Sequence, residues 1–155
     1  MFAVIEGALI RRDTGKEAGS LSGCGYRNVE FDGDQYRTHR VIFLMTHNYL
    51  PKFVDHKDGD KLNNDPDNLR GATRSQNGLN RVKTQGCSSM YKGVSWFTQS
   101  GKWKAQVRID NNLIYLGLHD NDREAAMAYD SYMRENHHEF STFNFPREGE
   151  RSCLN

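Results

Sequence analysis

Cysteine is scarce in this sequence, and none of it is paired in a useful spacing. Cys24, Cys87 and Cys153 are far apart and odd in number. No two of them stand two residues apart, which argues against a zinc–thiolate site and against a disulfide framework. Isolated thiols fit a reducing compartment. Long apolar runs are also missing. Nothing reaches the length that crosses a bilayer, and the N-terminus lacks a basic-then-apolar secretion leader, so the expectation is a soluble, cytoplasmic protein with no membrane partner. The hydrophobic share is only 36% and the mean hydropathy is -0.83, which leaves a modest core for 155 residues. Charge of one sign is absent too: the net charge is +1, so the total says nothing about partners. Aromatic residues at 11% and 14 glycines argue against disorder, which is poor in aromatics.

The distribution of charge says more than its sum. Between Asn68 and Ile109 stand Arg70, Arg74, Arg81, Lys83, Lys92, Lys102, Lys104 and Arg108, with no Asp or Glu among them. Acidic residues crowd just before, at Asp55, Asp58, Asp60, Asp65 and Asp67. A basic stretch with interleaved aromatics suits a polyanion; a solvated face is the alternative.

Periodicity divides the chain. Met1 to Ile5 reads as a strand and Glu6 to Gly25 as irregular. Tyr26 to Phe31 alternates, Asp32-Gly33 is a hairpin signal, and Gln35 to Thr38 is the return strand. Thr38 is the expected N-cap of a helix to about Asn48, with Val41, Phe43, Leu44 and Met45 giving its buried face. The polar stretch Val82 to Met90 reads as a linker. Beyond it Tyr91 to Phe97, Trp103 to Ile109 and Leu113 to Leu118 read as strands. Asp122 is the expected cap of a helix to about Glu135. The chain is therefore expected to be α+β.

The segment from Val54 to Asn80 carries the chemistry. Hydrolysing a phosphodiester requires deprotonating a water, neutralising the pentavalent phosphate and stabilising the leaving 3′ oxygen. A hard divalent cation held by oxygen ligands serves the last two, and a neutral imidazole serves the first. Asp55 and His56 are adjacent, and Asn77 follows on an expected short helix. An Asp-plus-Asn donor set suits magnesium or manganese better than structural zinc. Asp58, Asp60 and Asn64 have a superficial likeness to a calcium loop, but Gly59 is misplaced and Leu69 stands where the bidentate Glu belongs. Asn63-Asn64-Asp65-Pro66 also reads as a plain turn.

Asp55-His56, then Asn68 in Asp67-Asn68-Leu69, then Asn77 in Ser75-Gln76-Asn77, resemble the motif of HNH endonucleases of the phage and homing branch. Gly25-Tyr26 and Thr38-His39-Arg40-Val41 resemble that branch as well. The resemblance implies a ββα-metal nuclease domain preceded by an N-terminal hairpin and helix. It implies His56 as general base, Asn68 as the residue that fixes the loop and the base, and Asp55 and Asn77 as ligands of one Mg2+ or Mn2+ per active site. His39 is a possible support. The third letter of the motif is Asn77 here, which takes an imidazole out of the ligand set.

In the second half, Lys102, Lys104, Gln106 and Arg108 alternate with Trp103, Ala105 and Val107, so the two sets lie on opposite faces of one strand. Phosphate contacts supply affinity, and Arg or Gln at base edges supplies preference. Tyr91-Lys92-Gly93-Val94, Lys102-Trp103-Lys104-Ala105, Tyr115-Leu116-Gly117, Glu124-Ala125-Ala126, Ala128-Tyr129-Asp130 and Phe143-Asn144-Phe145-Pro146 resemble the AP2 DNA-binding domain, a three-stranded antiparallel sheet plus helix. The resemblance puts Lys92, Trp96, Lys102, Lys104, Gln106 and Arg108 on the DNA face; Arg70 and Arg74, in the basic stretch ahead of it, are further expected DNA contacts. Ser95 stands where plant-type AP2 domains carry Arg, and Gln106 where they carry Glu. Trp103 reads equally as core or as contact.

Together the resemblances imply a nuclease domain over 1–81, a linker over 82–90, an AP2-like domain over 91–146 and a tail over 147–155. They imply a phage-borne homing endonuclease that cuts double-stranded DNA in the host cytoplasm, as a monomer or a homodimer. A non-catalytic DNA-binding regulator is the alternative. A host-protein ligand acting through Met1 to Gly25 is a third reading with no positive feature behind it.

Overall fold

In a computed structural model of the chain, residues 1–83 and 86–154 are described, and they fall into two compact units, Met1–Thr73 and Arg74–Asn155. The class is mixed α and β. Among the described residues no helix is long and apolar enough to cross a membrane.

The first unit begins with a hairpin of β1 (Phe2–Ile5) and β2 (Ala8–Arg11). β3 (Ser20–Leu21), β4 (Arg27–Phe31) and β5 (Asp34–Arg37) form an antiparallel sheet in that order. The β4–β5 turn has both Asp32 and Gly33 at positive φ, the conformation that a two-residue hairpin demands. Helix α1 (Thr38–His47) follows at once. Its N-cap is Arg37, so Thr38 is the first helical residue and not the cap. The Thr38 hydroxyl is buried with no hydrogen-bond partner among the described residues. The buried face of α1 is Thr38, His39, Ile42 and Phe43, at helical spacing, whereas Leu44 and Met45 point outward. Asn48 ends the helix in the left-handed region, its N–H bonded to Leu44 O. A last hairpin, β6 (Phe53–His56) with β7 (Leu69–Ala72), closes the unit. Leu9, Ala18, Val29, Ile42, Phe43, Val54 and Leu69 form its core, each large side chain contributing about 1.5–3 kcal/mol.

The second unit starts with the short helix α2 (Arg74–Leu79). Its sheet consists of β8 (Val94–Phe97), β9 (Lys102–Ile109) and β10 (Asn112–His119), antiparallel with β9 central. Helix α3 (Asp122–His137) packs on one face through Ala125, Ala126, Tyr129 and Met133. Its capping side chain is Asn121, whose Oδ1 accepts from Glu124 N at 2.8 Å, one residue before the expected Asp122. The Asp130 carboxylate is buried and accepts from the backbone N–H groups of Asn144 (2.9 Å) and Phe145 (2.7 Å), pinning the segment after α3 to the helix.

Two segments are tied in where the sequence suggests freedom. The expected linker 82–90 includes Thr84 and Gln85, which lie outside the described residues. On either side of them Lys83 N bonds Cys153 O at 2.7 Å, and buried Ser89 donates to Asp122. The stretch beyond Pro146 is bound back rather than left as a tail. Arg134 forks onto Glu150 (both contacts 2.8 Å), Phe143 exchanges backbone bonds with Arg151 and Cys153, and Cys153 is buried.

Candidate functional site

Asp55 and His56 are the last two residues of β6, and neighbours in a strand project to opposite sides. Asp55 faces its cross-strand partner Arg70. The guanidinium meets Asp55 Oδ2 through Nε at 3.1 Å and through a terminal nitrogen at 3.0 Å, with both side chains largely buried. Arg70, expected on DNA, therefore spends its charge inside the unit. A buried carboxylate robbed of such a partner is destabilising by several kcal/mol.

His56 points the other way. Its Nε2 lies 3.0 Å from Oδ1 of buried Asn64. An amide oxygen only accepts, so Nε2 carries the proton and Nδ1 is the basic nitrogen. From the sequence Asn64 read only as part of a calcium-like loop or a plain turn, not as the partner of the imidazole. Asn68, expected to fix both loop and base, braces the loop alone in the contacts the structure shows. It accepts from Asp58 N (3.1 Å) and donates to Asp58 Oδ1 (2.9 Å) and to Asn63 O (2.8 Å). Burial opposes ionisation of Asp58, but the donors from Asn68, Asn63 and the Asp60 backbone outweigh it and hold its carboxyl below the usual range.

His39, on α1, lies against His56 with ring centroids 4.9 Å apart and planes tilted by 58°, and Tyr26 borders both, at 5.3 Å from His39 and 6.1 Å from His56. Burial first, then the neighbouring His56, Arg40 and Arg37, pushes the His39 imidazole down to about 3. In the folded unit it is neutral at pH values well above 3. The unfolded chain protonates this group near pH 6.5 and the folded chain only near 3, so the unfolded state binds more protons across that window. Stability is expected to fall as pH drops from about 6.5 towards 3, with a slope approaching about 1.4 kcal/mol per pH unit from this group. Urea titrations at several pH values would show it, and His39→Gln should flatten the dependence.

α2 carries two further candidates. Arg74 is exposed at its start, and Asn77 is half-buried. Carbonyls at its C-terminal end are taken up by the second unit. Lys92 Nζ donates to Leu79 O (2.6 Å), Arg81 O (2.7 Å) and Thr142 Oγ1 (2.8 Å), and Arg151 donates to Asn80 O (3.1 Å). Three acceptors use all three ammonium protons, so Lys92 is an internal clamp and not a DNA contact. Burial pushes its ammonium down to about 8, against the opposing pull of Cys153.

Cross-strand register sorts the rest, because paired residues project to the same side. Val94 pairs with Ala105 and Trp96 with Trp103, and Ala105 is core. Trp96 is thus on the helix side, edge-to-face with Trp103 at 5.1 Å, and not among the outward cations. Trp103 packs against the Val94–Ala105–Ala125–Ala126 cluster, which settles it as core. The opposite face carries Lys102 paired with Phe97, Lys104 with Ser95, Gln106 with Tyr115 and Arg108 with Leu113. Leu113 and Tyr115 are 54% and 59% exposed there; register finds them, and the single-strand alternation did not. Lys102 makes a solvent-exposed bridge to Asp120 at 3.0 Å.

As a cation site, this chain offers oxygen donors. Among the described residues no three His, Cys, Asp or Glu side chains cluster into a ready cage. Magnesium-type ions are held by one or two carboxylates, with water and substrate phosphate completing the shell. Asp55 offers one such carboxylate, on the opposite side of β6 from the His56 imidazole and already held by Arg70, so an ion there would have to share that carboxylate with the guanidinium.

This hairpin lies within a segment with known relatives. Residues 36–79 match the model of a family described as HNH endonuclease. The chain is 33% identical over 128 residues to an uncharacterized HNH endonuclease of Acanthamoeba polyphaga mimivirus, covering 80% of this chain and 65% of that protein. It is 29% identical over 109 residues to Protein 3.8 of Escherichia phage T7, covering 69% and 89%. It is 38% identical over 77 residues to dehydration-responsive element-binding protein 2D of Arabidopsis thaliana, covering 42% and 37%. The chain spans less than two thirds of the length of the mimivirus and plant proteins.

Proposed function

We propose that the chain is a metal-dependent endonuclease that hydrolyses phosphodiester bonds in double-stranded DNA. The observation that carries this is the imidazole of His56, its proton held on Nε2 by Asn64, at the end of β6 and next in sequence to the buried Asp55, inside the segment similar to HNH endonucleases. His56 Nδ1 takes the proton of the attacking water. Asn68 holds the loop shut, and Arg70 steadies Asp55. Asp55, and Asn77 by its place in the motif, would hold one Mg2+ or Mn2+. The bound cation supplies charge neutralisation at the phosphate and at the leaving 3′ oxygen.

The outward face of the second sheet is the proposed reader, AP2-like in its sequence pattern. Lys102, Lys104 and Arg108 supply phosphate affinity, and Gln106, Leu113 and Tyr115 lie beside them. The partial likeness to a plant protein named as element-binding supports this. The reading extends to a phage-borne homing enzyme acting in the host cytoplasm; likeness to a phage protein and to a viral HNH endonuclease supports its viral setting. One site cuts one strand, so a monomer nicks and a homodimer or two successive nicks break the duplex.

Incubation with supercoiled plasmid and Mg2+ or Mn2+ is expected to give nicked or linear DNA, and a chelator should stop it. A gel shift with no cutting under any divalent ion would replace this reading by that of a non-catalytic regulator.

A further inference from the structure

Tyr26 lies between two cations. The Arg37 guanidinium carbon is 4.6 Å from its ring centroid and Lys61 Nζ is 5.0 Å from it. The same ring borders His39 and His56. Both cations also reach one corner of the β3–β4 turn, Lys61 donating to Cys24 O at 3.2 Å and Arg37 to Cys24 Sγ at 3.3 Å. The hydrogen bond with Ser22 first, and that from Arg37 second, draw the Cys24 thiol below its ordinary value.

These cations stand beside an acidic loop without using it. Among the described residues neither forms an ion pair. The neighbouring carboxylates instead take backbone donors of their own loop: Asp58 from Asp60 N, Asp60 from Leu62 N and Asp65 from Asp67 N, all within 2.9 Å. The second terminal nitrogen of Arg37 has no acceptor, although a buried donor left unmet is costly. Lys61 is exposed and Tyr26 half-exposed. Two cations packed against one aromatic ring, lacking carboxylate partners and adjoining a general base, offer charge and donors to an anion arriving beside that base.

We propose that Arg37 and Lys61, spaced by Tyr26, form a backbone clamp for a phosphate of the nucleic-acid strand being cut, next to the bond facing His56. The proposal rests on the nuclease reading above and adds to it two substrate-holding residues of the first unit. Each lost phosphate contact lowers the slope of log affinity against log salt by about 0.9. Lys61→Gln is therefore expected to reduce that slope by about 1 and to raise KM several-fold with little change in kcat. Lys61→Arg should restore both. Arg37→Lys, which keeps the charge beside the α1 N-terminus, should preserve the slope, and Arg37→Gln combined with Lys61→Gln should remove about 2. A brace that only ties Lys61 to Cys24 O would lower the melting temperature and leave the salt slope alone. A Lys61→Gln protein with the parent's slope overturns the clamp, whether or not the parent cuts. A parent that never cuts overturns the nuclease reading, and the slope still decides the clamp.

Discussion

His56→Ala is expected to slow metal-dependent plasmid nicking by roughly 10²- to 10⁴-fold while leaving DNA affinity nearly unchanged. That range is what a positioned general base contributes. The structure gives reasons to expect the upper part of it. The imidazole is only 4% exposed, so solvent water cannot easily stand in for it. Its tautomer is also set by Asn64. Asn64→Ala should give a smaller loss, because Nδ1 and Nε2 then share the proton and the basic nitrogen faces the water only part of the time. Single-turnover rates on supercoiled plasmid, beside gel shifts on the same protein, separate the two effects. Cutting by His56→Ala at the parental rate would remove His56 from the chemistry.

Gly93→Ala is expected to destabilise the second unit by about 3 kcal/mol or more. Gly93 has φ +78, and a β-carbon built there overlaps Cδ2, Cε2 and Cγ of Tyr129. Left-handed backbone costs an alanine roughly 1–2 kcal/mol, and overpacking a tight core adds about 1–3 kcal/mol. Tyr129 has no room to retreat, because it is 2% exposed in the cluster with Val107, Met133 and Phe143. Calorimetry should show a melting transition lowered by roughly 10 °C or more. Gly101→Ala is the control: its φ is +61, but nothing lies within 4 Å of the added carbon, so it should lose only the backbone share. Equal losses at the two positions would discredit the steric argument.

What the sequence could reveal depended on the distance over which each feature is decided. The β4–β5 hairpin was legible because Asp32-Gly33 names its own turn. The β1–β2 hairpin was only half seen. Its turn, Glu6-Gly7, has both residues at positive φ, but Glu is not a residue that advertises that conformation, so Ala8–Arg11 passed for irregular chain. On α1 the apolar residues Leu44 and Met45 suggested a buried face that the structure assigns to Thr38 and His39 instead, because the small hydroxyl and the neutral imidazole suit the interior of this unit.

For the site, Asp55, His56 and Asn68 could be picked out because they recur in a motif. Asn64 could not, because its link to the imidazole depends on how several Asx turns fold the loop back over eight residues. Alternation placed Lys102, Lys104, Gln106 and Arg108 together, because β9 is continuous. It could not place Trp96 or Lys92. Which face Trp96 shares is set by pairing with Trp103, and Lys92 precedes the strand altogether. Arg70 looked like a surface cation until pairing set it against Asp55.

The capture of α2 by Lys92, Thr142 and Arg151 also dictates where this protein can be cut and rejoined. A chimaera spliced at residue 82, where composition invites the seam, would take the new module's partners away from Leu79 O, Asn80 O and Arg81 O. It would also leave the Lys92 ammonium with only Thr142 Oγ1 of its three acceptors. A seam placed ahead of Arg74 carries the short helix along with the sheet that secures it, and so treats that helix as part of the transplanted cassette.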